Sequence, residues 1–142
     1  MQFWIGFVAV LMVGSAAFLG YKARQKAKSR DADRRKLDLA DAQLSREIRR
    51  NPKNAAAFGK RGIVRQRKGD LAGAAADFER ALALDPNLTE AHYHRGAALE
   101  QKGDLAGAEK EFNWIVDLGN DPYYGTAAKE RLAQAHSKKK SD

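Results

Sequence analysis

One seven-residue string occurs twice in this chain. Lys68-Gly69-Asp70-Leu71-Ala72-Gly73-Ala74 returns letter for letter as Lys102-Gly103-Asp104-Leu105-Ala106-Gly107-Ala108, 34 residues later. Laying 55–88 over 89–122 gives 12 identities in 34 positions, among them Arg61/Arg95, Gly62/Gly96, Phe78/Phe112 and Leu84/Leu118. A duplicated unit of this size cannot bury its apolar face by itself, so the chain is restricted to architectures in which units stack on one another.

Each unit reads as two helices. In the first, the alanines at 55–57, Phe58 and Gly62 open a helix that ends near Lys68. Gly69 supplies a left-handed exit and Asp70 caps the next helix. Leu71, Ala74, Ala75, Phe78, Ala81 and Leu82 then fall on one stripe of that second helix. Asp85-Pro86-Asn87 stops it and turns the chain. The small residues Gly62 and Ala74, with Gly96 and Ala108 after them, allow the paired helices to approach closely, with the phenylalanines filling the space alongside.

These residues resemble the tetratricopeptide repeat (TPR), whose pattern places a large residue, Leu-Gly and Tyr in the first helix, then Ala-x-x-x-Phe, Ala and a closing Pro. Residues 55–88 match through Phe58, Gly62, Ala74, Phe78, Ala81 and Pro86, and residues 89–122 through Gly96, Ala108 and Phe112. Arg61 and Arg95 stand where Leu is usual, Arg65 where Tyr is usual, His92 at the large-residue position and Ile115 at the later Ala. The closing Pro is missing at 120 and present as Pro122. Thirty-four residues before Pro86 stands Pro52, preceded by Ala40, Leu44 and Ile48 in the register of a second helix. Beyond Asp121-Pro122, residues 123–136 read as a capping helix.

The resemblance implies a binding surface. In the family the first helices line a concave groove that receives a peptide or helix. Here the lining would include Gly59, Ile63, Gln66 and Arg67 from one unit, and Tyr93, Ala97, Glu100 and Gln101 from the next. Chaperone-binding members clamp a terminal carboxylate with Lys and Asn at places that hold Gly59 and Ile63 here, which disfavours that ligand class. The implied ligand is an amphipathic segment of a protein partner.

The flanks carry the charge. The formal net charge is +8, which invites a nucleic-acid reading. Residues 22–50 hold eleven Lys/Arg against five Asp/Glu, and residues 123–142 hold five against two. Residues 51–122 hold ten against eleven, so the repeats are close to neutral. No nucleic-acid partner is expected, and the protein partner need not be acidic. Phe3 to Tyr21 is 19 residues without a charge, about the length that spans hydrocarbon as a helix. Lys22, Arg24, Lys26, Lys28 and Arg30 follow it directly, where basic residues are kept on the cytoplasmic side and meet anionic lipid headgroups.

The expected chain is therefore all-α: an N-terminal transmembrane helix followed by a short TPR stack of two full repeats with flanking helices. Its parts are an anchor at 1–21, a basic linker at 22–36, a TPR domain at 37–136 with flanking helices 37–50 and 123–136, and a disordered basic tail at 137–142. The expected location is a membrane crossed once, with the N-terminus out and the repeats in the cytoplasm.

No enzyme, cofactor or metal is expected. The chain has no cysteine, which removes disulfides, thiolate zinc sites and thiol nucleophiles. His92 and His94 are two apart and point to different helix faces, so they cannot chelate together. His92 is expected to pack within the repeat and His94 to face the groove. The functional expectation is a membrane-anchored adaptor or scaffold that assembles or localises a complex. Its rivals are a periplasm-facing envelope-assembly or chaperone-like factor, and a structural protein that self-associates as a homo-oligomer.

Overall fold

The computed structural model describes the backbone of residues 2–139 and the side chains of 17–137. The described residues form six helices: α1 (Gln2–Arg50), α2 (Ala55–Lys68), α3 (Leu71–Leu84), α4 (Thr89–Lys102), α5 (Leu105–Leu118) and α6 (Pro122–Lys139). Contacts divide the chain into two units, residues 1–36 and 37–142.

In the first unit, the described part of α1 is exposed along its length, including Lys22, Arg24, Lys26, Lys28 and Arg30. Its contacts are local. The Lys22 ammonium lies 4.8 Å from the Phe18 ring centre, and Gln25 donates to the Tyr21 hydroxyl at 3.0 Å. Here the expected fold is corrected. The helix does not end at residue 21 but continues through the densely charged 22–50 stretch. Among the described residues, no helix is long and apolar enough to cross a membrane. Most of the apolar run, residues 1–16, lies outside the described side chains. The basic residues given a membrane-flanking role thus flank no described span, and 22–36, read as a linker, is helical.

The second unit is an all-α stack whose helix ends are set by side-chain chemistry. Asn54 accepts from the Ala57 amide at 3.1 Å and opens α2. Asp70 and Asp104 each accept from the amide three residues on, at 2.9 Å, and open α3 and α5. Gly69 and Gly103 close α2 and α4 at φ 86° and 85°, a left-handed conformation that costs any residue with a Cβ. Asp121 accepts from the amides of Tyr123 and Tyr124 and opens α6 behind Pro122.

Inside each hairpin the same two contacts recur 34 residues apart. A Cβ on Gly62 would lie 2.6 Å from the Phe78 ring, and one on Gly96 2.8 Å from the Phe112 ring. Each glycine thus lets a phenylalanine from the paired helix lie directly on backbone. Beside it runs an ion pair. Arg61 donates to both carboxylate oxygens of Asp77 at 2.9 and 2.6 Å, and Arg95 donates to Glu111 at 2.6 Å.

The first pair extends back to α1. Arg61 also donates to Ser45 at 3.2 Å, while Arg65 reaches Asp77 at 3.1 Å and Asp41 at 3.4 Å. The second extends to His92, whose Nδ1 is 2.7 Å from Glu111 and whose ring stacks on Trp114 at 3.6 Å. Burial works against the Glu111 carboxylate, but hydrogen bonds from His92 and Arg95 hold its pKa below the ordinary value.

Two core clusters result. One joins Ile48 of α1 to Phe58, Phe78, Leu82 and neighbouring alanines of α2, α3 and α4. The other joins Phe112 and Ile115 of α5 to Ala128 of α6, with Tyr93, Tyr124 and Leu132 packed against them. Helix α6 therefore covers α5, and residues 137–139, read as part of a disordered tail, continue it.

Candidate functional site

Helix α4 packs against both α2 and α6, and the three together enclose an open hollow. Its volume is about 260 Å³, small beside the roughly 300–1,000 Å³ of drug-sized pockets. Such a space is of the order of one or two side chains in size. The hollow is lined by Ile63, Gln66 and Arg67 of α2, by Tyr93, His94, Ala97 and Gln101 of α4, and by Arg131 of α6.

Helical periodicity explains the alignment. Ile63, Gln66 and Arg67 are spaced i, i+3, i+4, and Tyr93, Ala97 and Gln101 follow one another by steps of four, so each set shares one face. Gly62 and Gly96 stand roughly a quarter-turn round their helices from the centre of these sets and face into the hairpins.

Aromatic rings form the floor. Tyr93 lies 5.8 Å from Phe112 and 5.3 Å from Tyr124 between ring centres. His94 is stacked 6.4 Å from Phe78 and meets Tyr93 edge-on at 5.4 Å. Burial lowers the His94 pKa from its ordinary 6.5, with the Glu90 carboxylate opposing that shift. Burial, with Glu90 hydrogen-bonded to it, pushes the Tyr124 phenol up to about 12. Arg131 is fixed from two sides. It donates to the Tyr93 hydroxyl, the main cause of its raised pKa, and its Nη1 is 2.8 Å from Glu100 Oε2.

Six of the residues expected in the groove therefore come together: Ile63, Gln66, Arg67, Tyr93, Ala97 and Gln101. Two lie elsewhere. Gly59 is buried, and a Cβ there would meet Leu88 at 3.5 Å and Ala91 at 4.0 Å, away from the lining. Glu100 is occupied by Arg131. Arg131 itself escapes a reading of the repeats because it lies past the second unit. A signal exists: steps of 34 from Ile63 lead to Ala97 and then to Arg131. Among the described residues, no group of His, Asp and Glu is arranged to hold a metal ion.

Residues 66–103 match the TPR repeat family. The match spans the end of α2, all of α3 and all of α4, including both glycine turns. Among solved structures, the first TPR of Spaghetti (RPAP3), bound to the HSP90 peptide SRMEEVD, is similar to this chain at 25% identity and a TM-score of 0.63. That similarity covers 72% of this chain and 81% of the other. YrrB, a TPR protein with an unusual peptide-binding site, is similar at 23% identity and a TM-score of 0.60. It is covered over 48% of its own length and 66% of this chain, so this chain spans about half of YrrB. No curated protein matches the sequence. The fold of residues 37–139 is a TPR-type helical stack.

Proposed function

We propose that the stack is a protein-binding module, an adaptor or scaffold that receives a segment of a partner chain in the hollow between α2, α4 and α6. The observation that carries this is the convergence of three helices on one open hollow. Its apolar floor of Ile63, Tyr93 and Ala97 sits inside a rim of Gln66, Arg67, Gln101 and Arg131. A concave apolar centre with a polar rim is the usual anatomy of a recognition site. The similar first TPR of Spaghetti, solved with a peptide bound, supports the same reading, which is of an interaction module and not an enzyme.

A photo-crosslinkable residue placed at Arg67 or Gln101, both exposed at the rim, tests it. Adducts with a partner are expected from these positions and not from Glu79 of α3 or Asn113 of α5, which are exposed on helices that do not line the hollow. Adducts from Glu79 or Asn113 alone would move the binding surface out of the hollow.

A further inference from the structure

The described start of α1 carries charge of one sign. No Asp or Glu stands in residues 1–30. Lys22, Arg24, Lys26, Lys28 and Arg30 occupy alternate positions of the helix, and all five are exposed. Among the described residues, none of the five pairs with a carboxylate. The nearest acids in sequence are Asp31 and Asp33, and Asp33 lies 4.0 Å from Lys36 on the turn that follows.

Helical periodicity sorts these side chains into faces. Lys22, Lys26 and Arg30 follow one another by steps of four, and Phe18 precedes them by the same step. The Lys22 ammonium, 4.8 Å from the Phe18 ring centre, shows that the two share a face. Leu19 falls on that face as well, while Tyr21, Arg24 and Lys28 form a second stripe. Phe18, Leu19 and Tyr21 are 56%, 66% and 60% exposed, and they close the charge-free stretch 3–21 of the sequence. From Phe18 to Arg30 the first face extends about 18 Å, apolar at one end and cationic along the rest.

We infer that residues 18–30 of α1 bind an anionic lipid surface, with Lys22, Lys26 and Arg30 against the headgroups and Phe18 and Leu19 at the boundary of the acyl chains. The contact is peripheral, needs no helix that crosses the bilayer, and is independent of the hollow. Each Lys or Arg near such a surface strengthens binding about fivefold. Exposed Phe and Leu beside the cations gain by leaving water. The Lys and Arg stems can lie along the apolar boundary while their charges reach the headgroups. A nucleic acid supplies the same charge but meets cations only from residue 22 onward, and Leu19 gains nothing against a phosphate backbone.

The test uses the full 142-residue chain and two vesicle types, pure phosphatidylcholine and phosphatidylcholine with about 30% phosphatidylserine. Binding is read by co-sedimentation at about 0.1 M NaCl. Because the chain has no cysteine, Leu19→Cys and Glu79→Cys each give a single site for an environment-sensitive dye. Partition onto the phosphatidylserine vesicles is expected to be at least about 100-fold stronger. Raising NaCl to about 0.5 M should remove most of that preference. Lys22→Gln, Lys26→Gln and Arg30→Gln combined should remove about three-fifths of it on a logarithmic scale, with helical circular dichroism unchanged. The dye should shift to the blue at Leu19→Cys and not at Glu79→Cys.

Equal binding to the two vesicle types would overturn the inference, and so would a triple variant that keeps the whole preference. A blue shift at position 79 without one at position 19 would move the contact to the stack and overturn it too. Tighter binding to a short DNA duplex or an oligouridylate than to the phosphatidylserine vesicles would assign the cations to nucleic acid instead. Each of these outcomes leaves the docking site at the hollow standing.

Discussion

Asp77 is 3% exposed and receives Arg61 through two hydrogen bonds and Arg65 through a third contact. A carboxylate so enclosed is tolerable only with its partners present, and so are the partners. Asp77→Ala is expected to destabilise the stack by about 3 kcal/mol in urea unfolding, because it leaves the Arg61 guanidinium without a carboxylate while Arg65 keeps Asp41. A loss under about 1 kcal/mol would mean that water already compensates Arg61. The glycines give a sharper contrast. Gly62→Ala drives a methyl into the Phe78 ring at 2.6 Å and should cost about 1–3 kcal/mol. Gly59→Ala meets only ordinary contacts, at 3.5 Å and beyond, and should stabilise by up to about 1 kcal/mol through helix propensity. Two variants of equal stability would contradict the assigned packing.

His94 adds a pH dependence. Its pKa is lowered by burial, so the unfolded chain binds the proton more readily. Stability from this residue is fully present above about 6.5, falls as pH drops through that value, and levels off below the folded value. Replacing it in His94→Gln should flatten the fall in melting temperature between about pH 7.5 and 5.5. Parallel curves for the two proteins would show that the ring is not kept neutral by the fold.

At the scale of elements, α6 does two jobs. It covers Phe112 and Ile115 through Ala128 and Leu132, and it supplies Arg131 to the hollow. Deleting residues 122–142 should therefore lower the melting temperature by several degrees and remove more helical signal than α6 alone contributes, since α5 loses its cover. An unchanged melting temperature would make α6 an appendage.

The helix pairs, their glycine turns and their aspartate caps are legible in the sequence, because those depend on residue type at fixed local spacing. The approach of Gly62 to Phe78 is legible for the same reason. The ion pairs are harder to see. Arg61 and Arg95 stand out as departures from the resembled pattern, but their partners, Asp77 and Glu111, differ from each other and do not register as identities. Gly59 falls in the groove by its position in the pattern; the Leu88 and Ala91 side chains decide otherwise. The apolar run before Lys22 suggests a separate spanning helix, but charge resumes within the same helix, and local hydropathy carries no information about where that helix ends.

For the whole molecule, the partition of charge along the chain differs from its partition in space. By segment the repeats are nearly neutral. In space, Arg131 of α6 pairs with Glu100 of α4, and Arg67 stands on α2 across the hollow's lining. The fold thus brings together charges that no window of the sequence contains. What the proposed function requires of the hollow is access: the floor around Ala97 must be open to a partner's side chain.

Filling that floor is the most direct test. Ala97→Phe places a ring in the hollow while leaving the rim of Gln66, Arg67 and Gln101 in place. With helical circular dichroism and melting behaviour retained, partner recovery with the full-length variant is expected to fall at least about tenfold relative to the unaltered protein, the effect of losing one buried anchor. Recovery equal to that of the unaltered protein would contradict the hollow as the docking site.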